Sequence, residues 1–108
     1  MNPPKFVVIF VTASSADEAK NISLTLVEER LAACANIAPN INSVYWWNGK
    51  IENAGEQLII IKSVAARLDA VIARVKSLHS YKVPEIVALP VIGVNSDYLK
   101  WIENSVNS

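Results

Sequence analysis

Two short apolar segments, far apart in the chain, do most to limit the folds that it can adopt. Residues 6–11 (FVVIFV) are aromatic or β-branched at every position, and residues 58–61 (LIII) are apolar throughout. A strand that is apolar at every position is typical of one buried on both faces, which places it inside a sheet and not at its edge. We therefore predict a sheet in which these two segments are the central strands.

Helical periodicity follows each of these two strands. Residues 15–18 (SADE) match a capping box, and apolar residues continue at helical spacing to about Leu31. A second helical segment covers residues 65–79, again with apolar residues three and four apart. The broad apolar stripe of the first segment is consistent with a helix that packs on a sheet.

A hairpin signal lies between the two helices. Residues 36–47 alternate loosely between apolar and polar, and Asn48-Gly49 follows them. This dipeptide favours a two-residue turn, because both turn positions need a positive φ, and the turn sets Trp47 opposite Lys50. We also expect a β-bulge at Ala54-Gly55, before the second apolar strand.

The remaining segments complete a β-α-β-β-α-β order. Residues 85–94 read as a strand that contains Pro90, and proline lacks a ladder donor, so the strand belongs at a sheet edge. A short last helix begins at residues 96–97. The ferredoxin-like arrangement places the first and third strands in the centre and the last at an edge. We predict the α+β class, a ferredoxin-like sandwich with an extra C-terminal helix, as one domain over residues 1–108.

The composition excludes some partners and favours others. The chain has 10 basic and 10 acidic residues, whereas a nucleic-acid-binding domain usually carries a basic surplus, so we expect no nucleic-acid partner. No segment approaches the roughly 20 apolar residues of a membrane span, so no membrane insertion is expected. Zero net charge with a positive mean hydropathy suggests that other subunits cover part of the surface. The single cysteine fits a reducing compartment, and we predict a cytoplasmic protein.

Few residues are candidates for chemistry, and each has two interpretations. The chain has no nucleotide-binding loop, zinc-protease motif or hydrolase elbow, so no enzyme is predicted. Cys34 lies among small apolar residues, as a core thiol would; a metal or redox role is the alternative. His79 stands at a helix end, where a cation is favoured, and either caps the helix or lines a site with Tyr81 and Glu85.

The aromatic residues and Lys62 leave similar alternatives open. Residues 45–47 (YWW) lie on the hairpin, where they pack against the core or a partner subunit, or else form a stacking platform for a ligand. Lys62 ends the second apolar strand. It is either a surface lysine or a counter-charge for Glu56 or Glu85.

Four motifs resemble those of one family, the CutA divalent-cation-tolerance proteins. They are residues 30–37 (RLAACANI), 43–52 (SVYWWNGKIE), 79–86 (HSYKVPEI) and 97–101 (DYLKW). They occur in order and span nearly the whole chain. The resemblance implies a ferredoxin-like fold and a homotrimer similar in architecture to PII-type signalling proteins. It also implies tolerance to copper and other divalent cations, with no required cofactor and no established enzymatic reaction.

The resemblance also implies roles for individual residues. It implies metal ligation by Cys34 and His79, with copper or another divalent cation as the metal. It further implies a cleft between subunits that binds a metal ion or a small ligand. The cleft residues, besides His79, are Trp47, Glu56, Lys62, Tyr81 and Glu85. Two other functions stay open: a signalling module that binds a small anion, and a trimeric scaffold without a ligand.

Overall fold

Residues 4–107 fold into four strands and three α-helices. The computed structural model describes residues 4–107. In chain order the elements are β1 (Phe6–Ala13), α1 (Ala16–Glu28), β2 (Cys34–Trp47), β3 (Lys50–Val64), a 3₁₀ turn (Ala65–Arg67), α2 (Leu68–Leu78), β4 (Ile86–Pro90) and α3 (Ser96–Asn107). Within these residues no helix is both long enough and apolar enough to cross a bilayer.

The strands form one antiparallel sheet in the order β2-β3-β1-β4. The two wholly apolar segments are therefore the central strands and β4 is an edge strand, which confirms the predicted ferredoxin-like α+β arrangement. The edge strand is shorter than predicted, because the ladder stops at Pro90 and not at Val94. Pro90 is tolerated there because its position opposite Val7 donates no hydrogen bond to β1, and the Val91 N–H beyond it still bonds the Phe6 carbonyl at 3.0 Å.

One face of the sheet packs against α1 and α2. Alternation along the central strands turns every second side chain toward these helices. The helices contribute apolar residues from their inner sides, and most members of the resulting core are completely buried. The core includes Ile9, Val11, Ile59 and Ile61 from the strands and Ile22, Leu26, Val71 and Val75 from the helices.

The opposite face of the sheet is only partly covered. At one end α3 packs on it through Ile102 and Val106, which form a second buried cluster with Phe6 and Ala33. The alternation and the register place six further apolar residues on this face, and none belongs to either buried cluster. We call them the open face; they are Val8, Phe10, Leu58, Ile60, Val87 and Leu89.

The first helix starts as predicted and ends earlier. Ser15 caps it by accepting a hydrogen bond from the Glu18 N–H at 3.1 Å. The helix ends at Glu28, three residues before Leu31, because Arg30 adopts a left-handed conformation (φ 61°). The Arg30 N–H then bonds the carbonyl of Val27 and the Leu31 N–H that of Leu26, the pattern of a Schellman motif.

The hairpin of β2 and β3 has the predicted turn but a different bulge. Asn48 and Gly49 both have positive φ, and Trp47 pairs with Lys50. The predicted bulge at Ala54-Gly55 is wrong, because those residues pair regularly with β2. The irregularity lies across the ladder at residues 39–40, where Pro39 lacks a donor and Asn40 takes a left-handed conformation (φ 59°).

The hairpin extends well past the four-stranded part of the sheet. Pairing of β1 with β3 stops at Ala13 and Gln57, whereas pairing of β2 with β3 continues to the turn. We call residues 41–56 the hairpin arm. Several of its apolar side chains are exposed, among them Val44, Ile51 and Trp46, which is 72% exposed.

Candidate ligand-binding site

A cavity of about 710 Å³ opens where the hairpin arm leaves the sheet. Its volume is in the range of small-molecule sites, roughly 300–1,000 Å³. Three parts of the chain surround it: the end of β1, the arm, and the segment between α2 and β4. The lining residues are Thr12, Ser43, Val44, Tyr45, Trp47, Glu56, Tyr81, Lys82, Val83, Pro84 and Glu85.

Strand alternation explains why polar and aromatic side chains meet on one wall of the cavity. Ser43, Tyr45 and Trp47 are two residues apart along β2, so they share one face of the arm. Glu56 pairs with Ile41 and therefore points to that same face. This is the side of the sheet that carries the open face. The residues after α2 supply the opposite wall.

Glu56 and Tyr81 connect the two walls. The Tyr81 hydroxyl donates a hydrogen bond to Glu56 Oε2 at 2.8 Å, and Glu56 is only 5% exposed. Burial of the phenol, reinforced by this bond to the carboxylate, raises the pKa of Tyr81 to about 12. Tyr81 is therefore a neutral donor at any physiological pH.

His79 lies behind Tyr81 and holds it in place. Its Nε2 is 2.7 Å from the carbonyl oxygen of Thr12, and its Nδ1 accepts the Tyr81 N–H at 3.0 Å. Because a carbonyl only accepts, the ring proton is on Nε2. The two rings are also in contact, with centroids 4.7 Å apart. Both ring nitrogens of His79 are thus engaged within the chain.

Glu18 fastens the same segment to the start of α1. Its Oε2 accepts the Ser80 N–H at 2.8 Å, and its Oε1 accepts the Ser14 N–H at 3.0 Å. Partial burial raises the pKa of this carboxyl, but the hydrogen bonds from Ser80 and Ser14 outweigh burial and lower the pKa to about 2. The capping-box motif indicated the bond from the Glu18 N–H to Ser15, but the Glu18 carboxylate accepts from Ser14 and not from the cap residue, and its contact with Ser80 requires the tertiary fold.

We expect Glu18→Gln to destabilise the protein in a pH-dependent way. A carboxylate with a lowered pKa stabilises the fold above its unfolded pKa, near 4.5, and loses this effect as pH falls through about 2. The variant should lose about 1–2 kcal/mol of unfolding free energy at pH 7, after discounting for solvent screening. Urea unfolding at several pH values measures it. A difference from the native protein that stays constant between pH 7 and pH 2 would contradict this role.

The structure brings four of the predicted cleft residues together. Trp47, Glu56, Tyr81 and Glu85 all line the cavity, with His79 directly behind. Lys62 lies six residues from Glu56 along β3, roughly 20 Å away at 3.3 Å per residue, and donates a hydrogen bond to Asn36 Oδ1. Sequence reasoning missed Thr12, Ser43 and Lys82, because no pattern local to them marks a site.

Cys34 and His79 lie at different places on the sheet. Cys34 lies level with Val8 of β1, because both pair with Lys62 of β3. His79 instead bonds Thr12, and Val8 and Thr12 are four residues, or roughly 13 Å, apart along β1. The Cys34 thiol is half-buried and lies 3.6 Å from the Tyr98 hydroxyl. Among residues 4–107 no three His, Cys, Asp or Glu side chains are grouped closely enough to hold a metal ion.

Similar proteins share both this sequence and this fold. A rice protein named "Protein CutA 1, chloroplastic" is 46% identical over 99 residues, which cover 92% of this chain and 56% of that protein. The "Divalent-cation tolerance protein CutA" of Thermus thermophilus is 43% identical over 98 residues, covering 91% of this chain and 95% of that one. The chain thus spans little more than half of the plant relative.

Solved structures match over almost the full length. The crystal structure of CutA1 from Oryza sativa has a TM-score of 0.92 at 44% identity and covers 94% of both chains. That of CutA1 from Shewanella sp. SIB1 has a TM-score of 0.95 at 36% identity and covers 99% of this chain and all of the other. The family model described as "CutA1 divalent ion tolerance protein" matches residues 7–105. The chain therefore belongs to the CutA1 divalent ion tolerance family.

Proposed function

We propose that this protein is a homotrimer that binds divalent cations, copper among them, at sites between subunits, and acts in divalent-cation tolerance by binding and not by catalysis. The open face carries the proposal. Six apolar side chains on the sheet face opposite α1 and α2 belong to neither buried cluster of residues 4–107, and Val87 and Leu89 are each 48% exposed. Contiguous apolar patches on soluble proteins mark surfaces that partners cover.

The hairpin arm supports a closed ring of subunits. It projects past the sheet with exposed apolar side chains and unpaired strand edges, which invite pairing with another chain. An arm that contacts a different surface of the next copy makes a head-to-tail interface. Such interfaces form a closed ring when the rotation between successive subunits divides a full turn evenly. A threefold ring satisfies this requirement and covers three open faces at once.

The proposed metal sites form only when subunits assemble. A single chain does not group three strong donors among its described residues, so a multidentate site needs donors from adjacent subunits. Of the two proposed ligands Cys34 has the weaker internal engagement, a 3.6 Å contact with Tyr98. His79 can ligate only if one of its hydrogen bonds is exchanged for the metal. We therefore propose that Cys34 contributes more than His79.

Anaerobic titration with copper(II) tests this proposal. We expect the native trimer to bind copper, and Cys34→Ser to lower the affinity by about 10-fold to 100-fold, because losing a ligand costs at least as much as losing a residue that orients one. His79→Gln should lower it less. Each variant is first shown by light scattering to keep the native mass. Equal affinity in all three proteins would contradict the assignment of these ligands.

A small-anion signalling module is the second candidate, and the cavity argues against it. An anion site requires positive charge, yet Lys62 lies far from the cavity, and the lining holds two carboxylates against one lysine. For location we propose the cytoplasm, on the basis of the free thiol of Cys34, which a reducing compartment preserves. The rice relative is instead named as chloroplastic.

A further inference from the structure

The wall of the cavity carries a buried negative charge without a positive partner in the described chain. Glu56 is 5% exposed and is hydrogen-bonded to the neutral Tyr81 hydroxyl. The ion pairs found among residues 4–107, Lys5–Glu103 and Arg74–Glu29, both lie elsewhere. Buried charges are normally paired, because removing them from water is costly. A cation from outside the chain would complete this site.

The other charges of the cavity do not supply that partner. Lys82 and Glu85 both line the cavity and carry opposite charges, so together they do not change its net charge. Glu56 thus remains uncompensated. Its Oε2 accepts one hydrogen bond from Tyr81, and an ionised carboxylate has further acceptor positions for the donors of an ammonium group.

The rest of the lining favours an organic cation over a metal ion. Tyr45, Trp47 and Tyr81 are aromatic, and the negative faces of aromatic rings attract ammonium groups. Val83 and Pro84 add apolar surface that a bare metal ion would not use. The volume of about 710 Å³ also far exceeds what a single ion occupies.

We propose that this cavity binds an organic cation, a protonated amine carried on an apolar body. The ammonium group lies against Glu56, and the body contacts Tyr45, Trp47 and Val83. The proposal does not depend on metal binding, because neither of the proposed metal ligands, Cys34 and His79, lines this cavity.

Three probes with one skeleton test the charge preference. Calorimetry on the native protein at pH 7 compares 2-phenylethylamine, which is cationic, with neutral 2-phenylethanol and anionic phenylacetate. We expect the amine to bind at least about tenfold more tightly than the alcohol, because hydrogen bonds between charged groups are the strong ones. Phenylacetate should bind most weakly. If the amine has no advantage, for instance because a lysine of a neighbouring subunit neutralises Glu56, the proposal is wrong.

Two pairs of variants locate the site. Glu56→Gln should abolish the preference for the amine, whereas Glu28→Gln, an exposed position on α1, should retain it. Trp47→Leu should lower amine affinity about threefold or more, and Trp101→Leu, on α3, should not change it. All variants are compared at the native assembly mass. A preference for the amine that survives Glu56→Gln would overturn the proposal, whatever the copper titration shows.

Discussion

Ile60→Glu is expected to convert the assembly into single chains. The native protein should elute with three times the chain mass of 11.8 kDa in size-exclusion chromatography with light scattering. Ile60 lies on the central strand β3 and belongs to the open face, opposite Phe10. Burying an unpaired carboxylate there would cost several kcal/mol per chain, roughly 3–5 by analogy with a buried ion pair that has lost one partner.

A matched variant separates loss of assembly from general damage. Leu24→Glu makes the same chemical change at a position on α1 that is 54% exposed and lies away from the open face. It should keep the native mass. We also expect the melting temperature of Ile60→Glu to be lower and independent of concentration, because association stabilises by mass action. An unchanged trimer in Ile60→Glu would show that the open face is not the interface.

Ile59→Ala should cause a large loss of stability within the chain itself. Ile59 is one residue away from Ile60 but faces the helices, where it is completely buried in the core. Removing a buried isoleucine side chain costs about 2–5 kcal/mol, including the cavity that remains. Denaturant unfolding measures it, with Leu24→Ala as the exposed control. A loss below about 1 kcal/mol would lie outside this range and would contradict the prediction, because the core would then have relaxed to fill the space.

The parts of the fold that were predictable from sequence are those with local causes. The apolar runs identified the central strands, and Asn48-Gly49 identified the turn and its register. Pro90 marked the edge strand correctly, although the strand stops at it. The bulge was misplaced because Gly55 permits one, whereas Pro39 and Asn40 cause one.

The candidate site was only partly predictable, because its walls come from distant parts of the chain. The family resemblance predicted Trp47, Glu56, Tyr81 and Glu85 as site residues, and the fold brings them together. It also predicted Lys62, which lies further along β3, at the end of the sheet away from the cavity. The Thr12 carbonyl occupies Nε2 of His79, and the sequence does not reveal that these two residues come into contact in the fold.

The position of β1 between β3 and β4 has a consequence for how the chain folds. The arm closes between neighbours in sequence, a process of about 1–10 μs for a hairpin. By contrast, β1 pairs Phe6 with Val64 and Val7 with Pro90, so its contacts require large loops to close first. We expect insertion of β1 to be the late and slow step. Until it occurs, the most apolar strand edges of the molecule are exposed together, and newly made chains are then most prone to aggregate.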